Sequence, residues 1–256
     1  MEKIYYFDHA ATTAVDNRVI DEMLPYLVKE YGNASSIYSL GKISKEAINL
    51  ARKRVAMSIN CNPNEIYFTS GGTESDNLAI KGIAMANRNF GNHIITTKIE
   101  HPAVLNSCKA LENLGFRVTY LNVDRLGRIN FEELERAITR QTILISIMFA
   151  NNEIGTIQDV YSIGKIAKKY NVFFHTDTVQ AIGNCFINVK DMNIDSLSMS
   201  SHKFYGPKGV GVLYVRNGIK FLRQNDGGHQ EQDKRSGTEN TAGIVGLRKG
   251  NRTCNK

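Results

Sequence analysis

The chain has 256 residues, 42% of them hydrophobic and only 4 of them proline, which suits one large α/β domain with or without part of a second and excludes a disordered chain. Its net charge of +7 lies wholly in residues 201–256, which hold 11 Lys/Arg against 4 Asp/Glu, while the first 200 residues hold 21 of each. These basic residues are scattered among glycines with no RNA- or DNA-binding motif, which favours a cationic rim around an anionic ligand plus a solvated tail over a nucleic-acid surface.

The opening MEKIYYFDHAATTAV has no apolar run of signal-peptide length, and FDHAATTAVD reads as an extended N-terminal segment over residues 1–15. Residues 16–29 read as a helix, YGNASSIYSLG (31–41) as a turn-rich loop and residues 44–57 as a second helix. From about residue 65 to residue 215, β-rich runs alternate with helical ones. IYFT (66–69) is a predicted strand, followed by SGGT and a helix over 74–88; HIITT (93–97) precedes a helix over 102–114. FRVTYL (116–121) precedes a helix near 131–139, and ILISIMF (143–149) is continuously apolar, as a strand buried on both faces is. SIGKIAKKY (162–170) is amphipathic, and NVFFHTD (171–177), SLSMS (196–200) and GVGVLYV (209–215) close the series. No stretch is apolar for long enough to cross a bilayer, so a cytoplasmic protein without a membrane or nucleic-acid partner is expected. Strands separated by helices imply crossovers, a mostly parallel central sheet and helices on both faces, a three-layer α/β fold. Such sheets bind ligands beyond the carboxyl ends of their strands.

Five places beyond strand ends hold polar residues able to do chemistry. In SSHKFYGPKG, Lys203 lies between a strand and a Gly-Pro turn; it is either an ordinary turn lysine or one whose partly desolvated amine forms a Schiff base. Asp177, in HTDTVQ, either caps the next helix or faces the pyridinium nitrogen of pyridoxal 5′-phosphate (PLP), with Gln180 one turn on. In TSGGTES, Gly72 lets the backbone approach a ligand, and the helix after it offers free N–H groups to a phosphate; the alternative is that Thr73 or Ser75 is simply an N-cap. His101, before a Pro-started helix, is a packing residue or a ring-stacking proton carrier. Asn152, in ANNEIG, is a turn residue or an amide for a cofactor hydroxyl. Taken together, a lysine, a carboxylate, a phosphate turn, a stacking histidine and an amide are the parts that PLP chemistry requires.

The motifs YYFDHAATT (5–13), FTSGGTESDNLAIKG (68–82), EHPAVL (100–105), NNEIGTIQ (151–158), FFHTDTVQA (173–181), SHKFYGPKGVGVLY (201–214), GGHQE (227–231) and RSGTEN (235–240) span nearly the whole chain. In order and spacing it resembles cysteine desulfurases of the nitrogen-fixation type, within the class V aminotransferase group of fold type I PLP enzymes. The resemblance implies a role for each candidate residue. Lys203 holds the cofactor and takes the substrate's α-proton. Asp177 pairs with the ring nitrogen, and Gln180 and Asn152 contact the ring-hydroxyl side. His101 stacks on the ring and assists proton transfer. Thr73, Ser200 and His202 hold the phosphate, with Gly72 shaping the turn. Thr238 reaches the phosphate of a partner subunit in a homodimer. The implied reaction takes L-cysteine to L-alanine and leaves sulfur as a persulfide on an enzyme cysteine, for delivery to a scaffold that assembles iron–sulfur clusters.

The resemblance also has gaps. The family's nucleophilic cysteine and its carboxylate-binding arginine lie in a small C-terminal domain that is expected to be largely absent here. Residues 16–247 read as the PLP-binding large domain and residues 248–256 as a divergent basic tail, with a truncation or frame change near Arg248. Such a chain should expose apolar surface where the small domain packs. Cys254 reads as a free thiol in a frayed tail and Cys61, Cys108 and Cys185 as packing residues; none forms a CxxC pair, no His/Cys cluster has zinc-site spacing, and no metal is expected. NASSIYSLG has Ala34 and Tyr38 where the family pattern has Pro and His. Two other activities fit the same scaffold: a selenocysteine lyase or related aminotransferase, and a non-catalytic, PLP-binding or dimerising fragment.

Overall fold

A computed structural model describes residues 5–254 of the chain. Two helices come first, α1 (Asn17–Val28) and α2 (Ser39–Ser58). There follow β1 (Ile66–Thr69), α3 (Gly72–Ala86), β2 (His93–Thr97), α4 (Pro102–Glu112), β3 (Arg117–Leu121), α5 (Phe131–Ala137), β4 (Thr142–Ser146), α6 (Val160–Lys169) and β5 (Phe173–Asp177). The series ends with β6 (Ser196–Ser200), β7 (Gly211–Val215), a single turn α7 (Gln230–Asp233) and α8 (Thr241–Cys254). The helices start where short polar side chains can take up free backbone N–H groups: Asp16 accepts from Arg18, Asn130 from Glu133 and Asp159 from Ser162.

The seven strands form one sheet in the order β1-β7-β6-β5-β4-β2-β3. Pairings β2·β3, β2·β4, β4·β5 and β5·β6 are parallel, and β7 runs antiparallel to both β6 and β1. The reversal comes from the connection: residues 201–210 contain no crossover helix, so β7 must return beside β6. One face of the sheet buries Phe68, Ile145, Phe174, Leu197 and Val212 against Ile48 and Val55 of α2, Ile163 of α6 and Leu247 of α8. The other face buries Ile94, Leu144 and Leu213 against Leu78 and Ile83 of α3 and Val104 and Leu111 of α4. These two cores make the three layers, a mostly parallel sheet between helices.

The structure shifts two boundaries. Helix α2 begins at Ser39, five residues before the predicted start, because Gly41 is not a turn glycine; it lies where an added Cβ would come within 2.5 Å of the Ser36 carbonyl and 2.6 Å of the Asn33 carbonyl. Strand β4 stops at Ser146, and Ile147, Met148 and Phe149 continue as buried irregular chain. Helix α8 runs through residue 248, where the Arg248 guanidinium donates to Glu22 of α1. Among the described residues no helix is long and apolar enough to cross a membrane, and no cluster of three His, Cys, Asp or Glu residues is arranged to hold a metal.

Candidate active site

A cavity of about 390 Å³ opens at the carboxyl ends of the parallel strands. Its lining includes Gly72 and Thr73 after β1, His101 after β2, Asn152 beyond β4, Asp177 and Gln180 at the end of β5, and Ser200, His202 and Lys203 at the end of β6. Nine of the ten residues singled out in the sequence therefore meet in one concavity, as the topology of a parallel sheet demands.

Lys203 and Asp177 stand in the same cavity and act on each other electrostatically. Lys203 is half-buried; burial lowers its ammonium pKa below the ordinary lysine value, against the pull of Asp177 and Asp8. Its Nζ donates to the carbonyls of Ala10 and Ala11, the latter at 3.0 Å. Asp177 is 6% exposed. Burial raises its carboxyl pKa, and the Val179 N–H, which donates to its Oδ1 at 2.8 Å, works against that rise together with His101 and Lys203. Asp177 thus makes the local turn contact and still faces the cavity.

The β1–α3 connection shows why two glycines stand there. A Cβ at Gly72 would come within 2.7 Å of Val179 Cγ2, so only glycine lets the helix start seat against the β5 loop. The N-cap position is Gly71, and Ser75 instead donates to the Gly71 carbonyl. Thr73 is exposed at the cavity, with the N-terminal end of α3 behind it. His101 caps α4: its Nδ1 accepts from the Ala103 N–H at 3.1 Å, which leaves Nε2 as the nitrogen that carries the proton of the neutral ring. His202 Nδ1 bonds the Thr12 hydroxyl at 3.0 Å, and Asn152 donates to Glu153 at 2.6 Å. Gln180 Nε2 donates to the Ala10 carbonyl at 2.9 Å.

Thr238 is not in this cavity. It is exposed beside a separate recess of about 100 Å³ formed with Phe68, Arg235 and Asn240. The segment that leads to it is tied down: Arg235 bonds Glu74 at 2.8 Å, and Glu231, 3% exposed, takes a two-pronged bond from Arg52 at 2.6 and 2.7 Å and the Phe68 N–H at 2.8 Å. Four further contributors are not evident from the sequence. Ala10 and Ala11 act through carbonyls, which leave no side-chain signature. Asp8 and Asp76 also line the cavity. Asp76 has one sequence signal, its position one helical turn beyond Gly72 and Thr73. Burial pushes the thiols of Cys61 and Cys108 up to about 12 and raises that of Cys185, so these three suit packing rather than attack. The side chain of Cys254 lies outside the described residues.

The aminotransferase class-V family model matches residues 5–256. The chain is 58% identical over 249 residues to the cysteine desulfurase IscS of Clostridium botulinum, a match that covers 97% of this chain and 63% of that protein. It is 60% identical over 247 residues to the cysteine desulfurase IscS of Methanosarcina thermophila, covering 96% of this chain and 61% of that one. The chain therefore spans less than two thirds of the length of these curated relatives. Among solved structures, a NifS-like protein superposes with a TM-score of 0.96 at 42% identity, over 98% of this chain and 70% of that chain. The structure described as SspA in complex with cysteine gives 0.95 at 43% identity, over 97% and 72%. With its sheet, its cavity and the spacing of its motifs all in agreement, the chain belongs to the aminotransferase class-V family, whose members depend on PLP.

Proposed function

We propose that this chain is the cofactor-binding part of a PLP-dependent cysteine desulfurase, with Lys203 as the residue that holds the cofactor. The observation that carries the reading is the meeting of Lys203 and Asp177 in one cavity at adjacent strand ends. The residues fit the group. A half-buried amine with a lowered pKa suits a carbonyl, a buried carboxyl suits a ring nitrogen that carries a proton, and the Gly72 cradle suits a phosphate. Once bound, PLP supplies an electron sink that stabilises negative charge at the substrate's α-carbon.

The chain's own residues do the rest. Asp177 keeps the ring nitrogen protonated. Thr73, Ser200 and His202 hold the phosphate, and Gln180 and Asn152 orient the ring-hydroxyl side. His101 covers the ring and moves a proton at Nε2, while Lys203 takes the α-proton at Nζ. Residues 16–247 form the cofactor-binding domain, and the N-terminal segment lines its mouth through Asp8, Ala10 and Ala11. L-Cysteine is the substrate and L-alanine a product, with sulfur passed through an enzyme persulfide to an iron–sulfur scaffold protein. The relatives' names and the cysteine complex of the SspA structure support this choice. No cysteine lines the cavity among the described residues, so the persulfide cysteine comes from the part of the relatives that this chain does not span. Thr238, which lies outside its own chain's cavity, serves the phosphate of a second copy in a cytoplasmic homodimer.

Purified chain mixed with PLP is expected to show the visible absorbance of a lysine-bound cofactor, and Lys203→Ala to abolish it. Undiminished absorbance in the variant rules out Lys203 as the anchor.

A further inference from the structure

Two carboxyls share the floor of the cavity. Asp177 ends β5, and Asp76 reaches in from α3; they are 6% and 1% exposed. Their surroundings differ. Asp177 has the Val179 N–H on Oδ1 and feels both Lys203 and His101. Asp76 has the Ser198 hydroxyl working against the rise that burial imposes, but its Oδ1 is buried without a hydrogen-bond partner. The nearest base is His175, whose Nε2 lies 3.6 Å from Asp76 Oδ1. That ring is already engaged, Nδ1 with the Ser146 hydroxyl at 2.9 Å and Nε2 with the Ser198 hydroxyl at 3.1 Å, and full burial holds it neutral down to about pH 3. It supplies no cation. Glu100, the third acid facing Asp76, is occupied by the Met148 N–H and the Thr97 hydroxyl. Two buried carboxylates that act on each other across one cavity floor, with no cation beside one of them, do not both ionise.

We propose that Asp76 and Asp177 carry one negative charge between them, with the proton on Asp76 and the charge on Asp177. Asp76 is then a positioning residue for charge. A neutral Asp76 leaves a single anion for one cationic ring atom, and it spares Lys203 a second anion that would hold its amine protonated. The identity of that ring atom as the cofactor's nitrogen rests on the function proposed above; the charge state of the pair does not.

The test uses the full 256-residue chain without added cofactor, so that it is independent of the Lys203 absorbance experiment. A carboxyl that is neutral in the fold contributes stability that is complete below its unfolded value near pH 4 and is lost as pH rises toward its folded value; an asparagine contributes no such slope. The thermal midpoint of Asp76→Asn should therefore gain on the wild type by roughly 5 °C or more between pH 5 and pH 7. Glu100, which burial raises to about 8, and His175 are present in both proteins and give both a background slope. A difference that stays flat, or that narrows as an ion pair with His175 would make it, overturns the proposal. If Asp76→Asn does not fold, carboxyl ¹³C NMR on aspartate-labelled chain decides. One carboxyl neutral at pH 7, ionising at lower pH in Asp177→Asn, supports the pair; every aspartate ionised at pH 7 sinks it.

Discussion

His175 shows what a single side chain contributes beneath the cavity floor. It sits in the middle of β5, fully buried, with serine hydroxyls on both ring nitrogens. Asp76 Oδ1 lies 3.6 Å from Nε2, yet burial dominates and drives the ring's pKa down to about 3. That fixes the sign of its linkage to pH. A histidine depressed in the fold gives stability that is present above its unfolded value near 6.5 and is lost as pH falls toward 3. The wild-type thermal midpoint should thus drop more steeply between pH 6 and pH 4 than that of His175→Gln, as scanning calorimetry at both pH values would show; parallel slopes would mean that the ring is not held neutral. Neither His175 nor Asp76 is legible as a site residue in the sequence. Their importance comes from each other and from Ser146 and Ser198, which approach only through the sheet register. Lys203, Asp177 and His101 are legible because a strand end announces itself through the polar residue after an apolar run.

At the level of elements, the β1–α3 turn is where local geometry governs ligand capture. A methyl at residue 72 has no room beside Val179, so Gly72→Ala should cost about 1–3 kcal/mol, the usual range for overpacking, and loosen PLP at the same time. Chemical denaturation and cofactor titration on one sample would check both; an unchanged affinity would place the phosphate elsewhere. The sequence pattern locates all seven strands to within a few residues, since each is a short β-rich run set off by turn or helical residues. The antiparallel course of β7 is not legible, because strand direction depends on the connection and not on the strand. Nor is the true start of α2, where Gly41 and the serines before it imitate a loop although Gly41 itself is buried. The RSGT segment is readable as a motif, but its anchoring is not. Arg52 and Glu231 are 179 positions apart, and no local pattern links them.

At the scale of the whole molecule, helix α1 presents an unusual surface. Ile20, Leu24, Leu27 and Val28 recur on one face and are 47–60% exposed, while the opposite side packs on α8. Leu24→Glu combined with Leu27→Glu should reduce light scattering of concentrated protein while leaving the thermal midpoint within a degree or two; unchanged scattering would clear this face of a role in self-association. The cationic excess of the last quarter is spread over separate places: Lys203 lines the cavity, Arg235 bonds Glu74 beside the smaller recess and Arg248 bonds Glu22 of α1. The carbonyls of Ala10 and Ala11 that receive the Lys203 ammonium come from the other end of the chain, 193 and 192 positions away. A ribosome makes that strap first and its lysine last, so a nascent polypeptide owns no finished cleft until the seventh strand has emerged and folded back. The coenzyme cleft proposed above is in this sense joined from two distant parts of the chain, and an N-terminal product that stops before Lys203 lacks it.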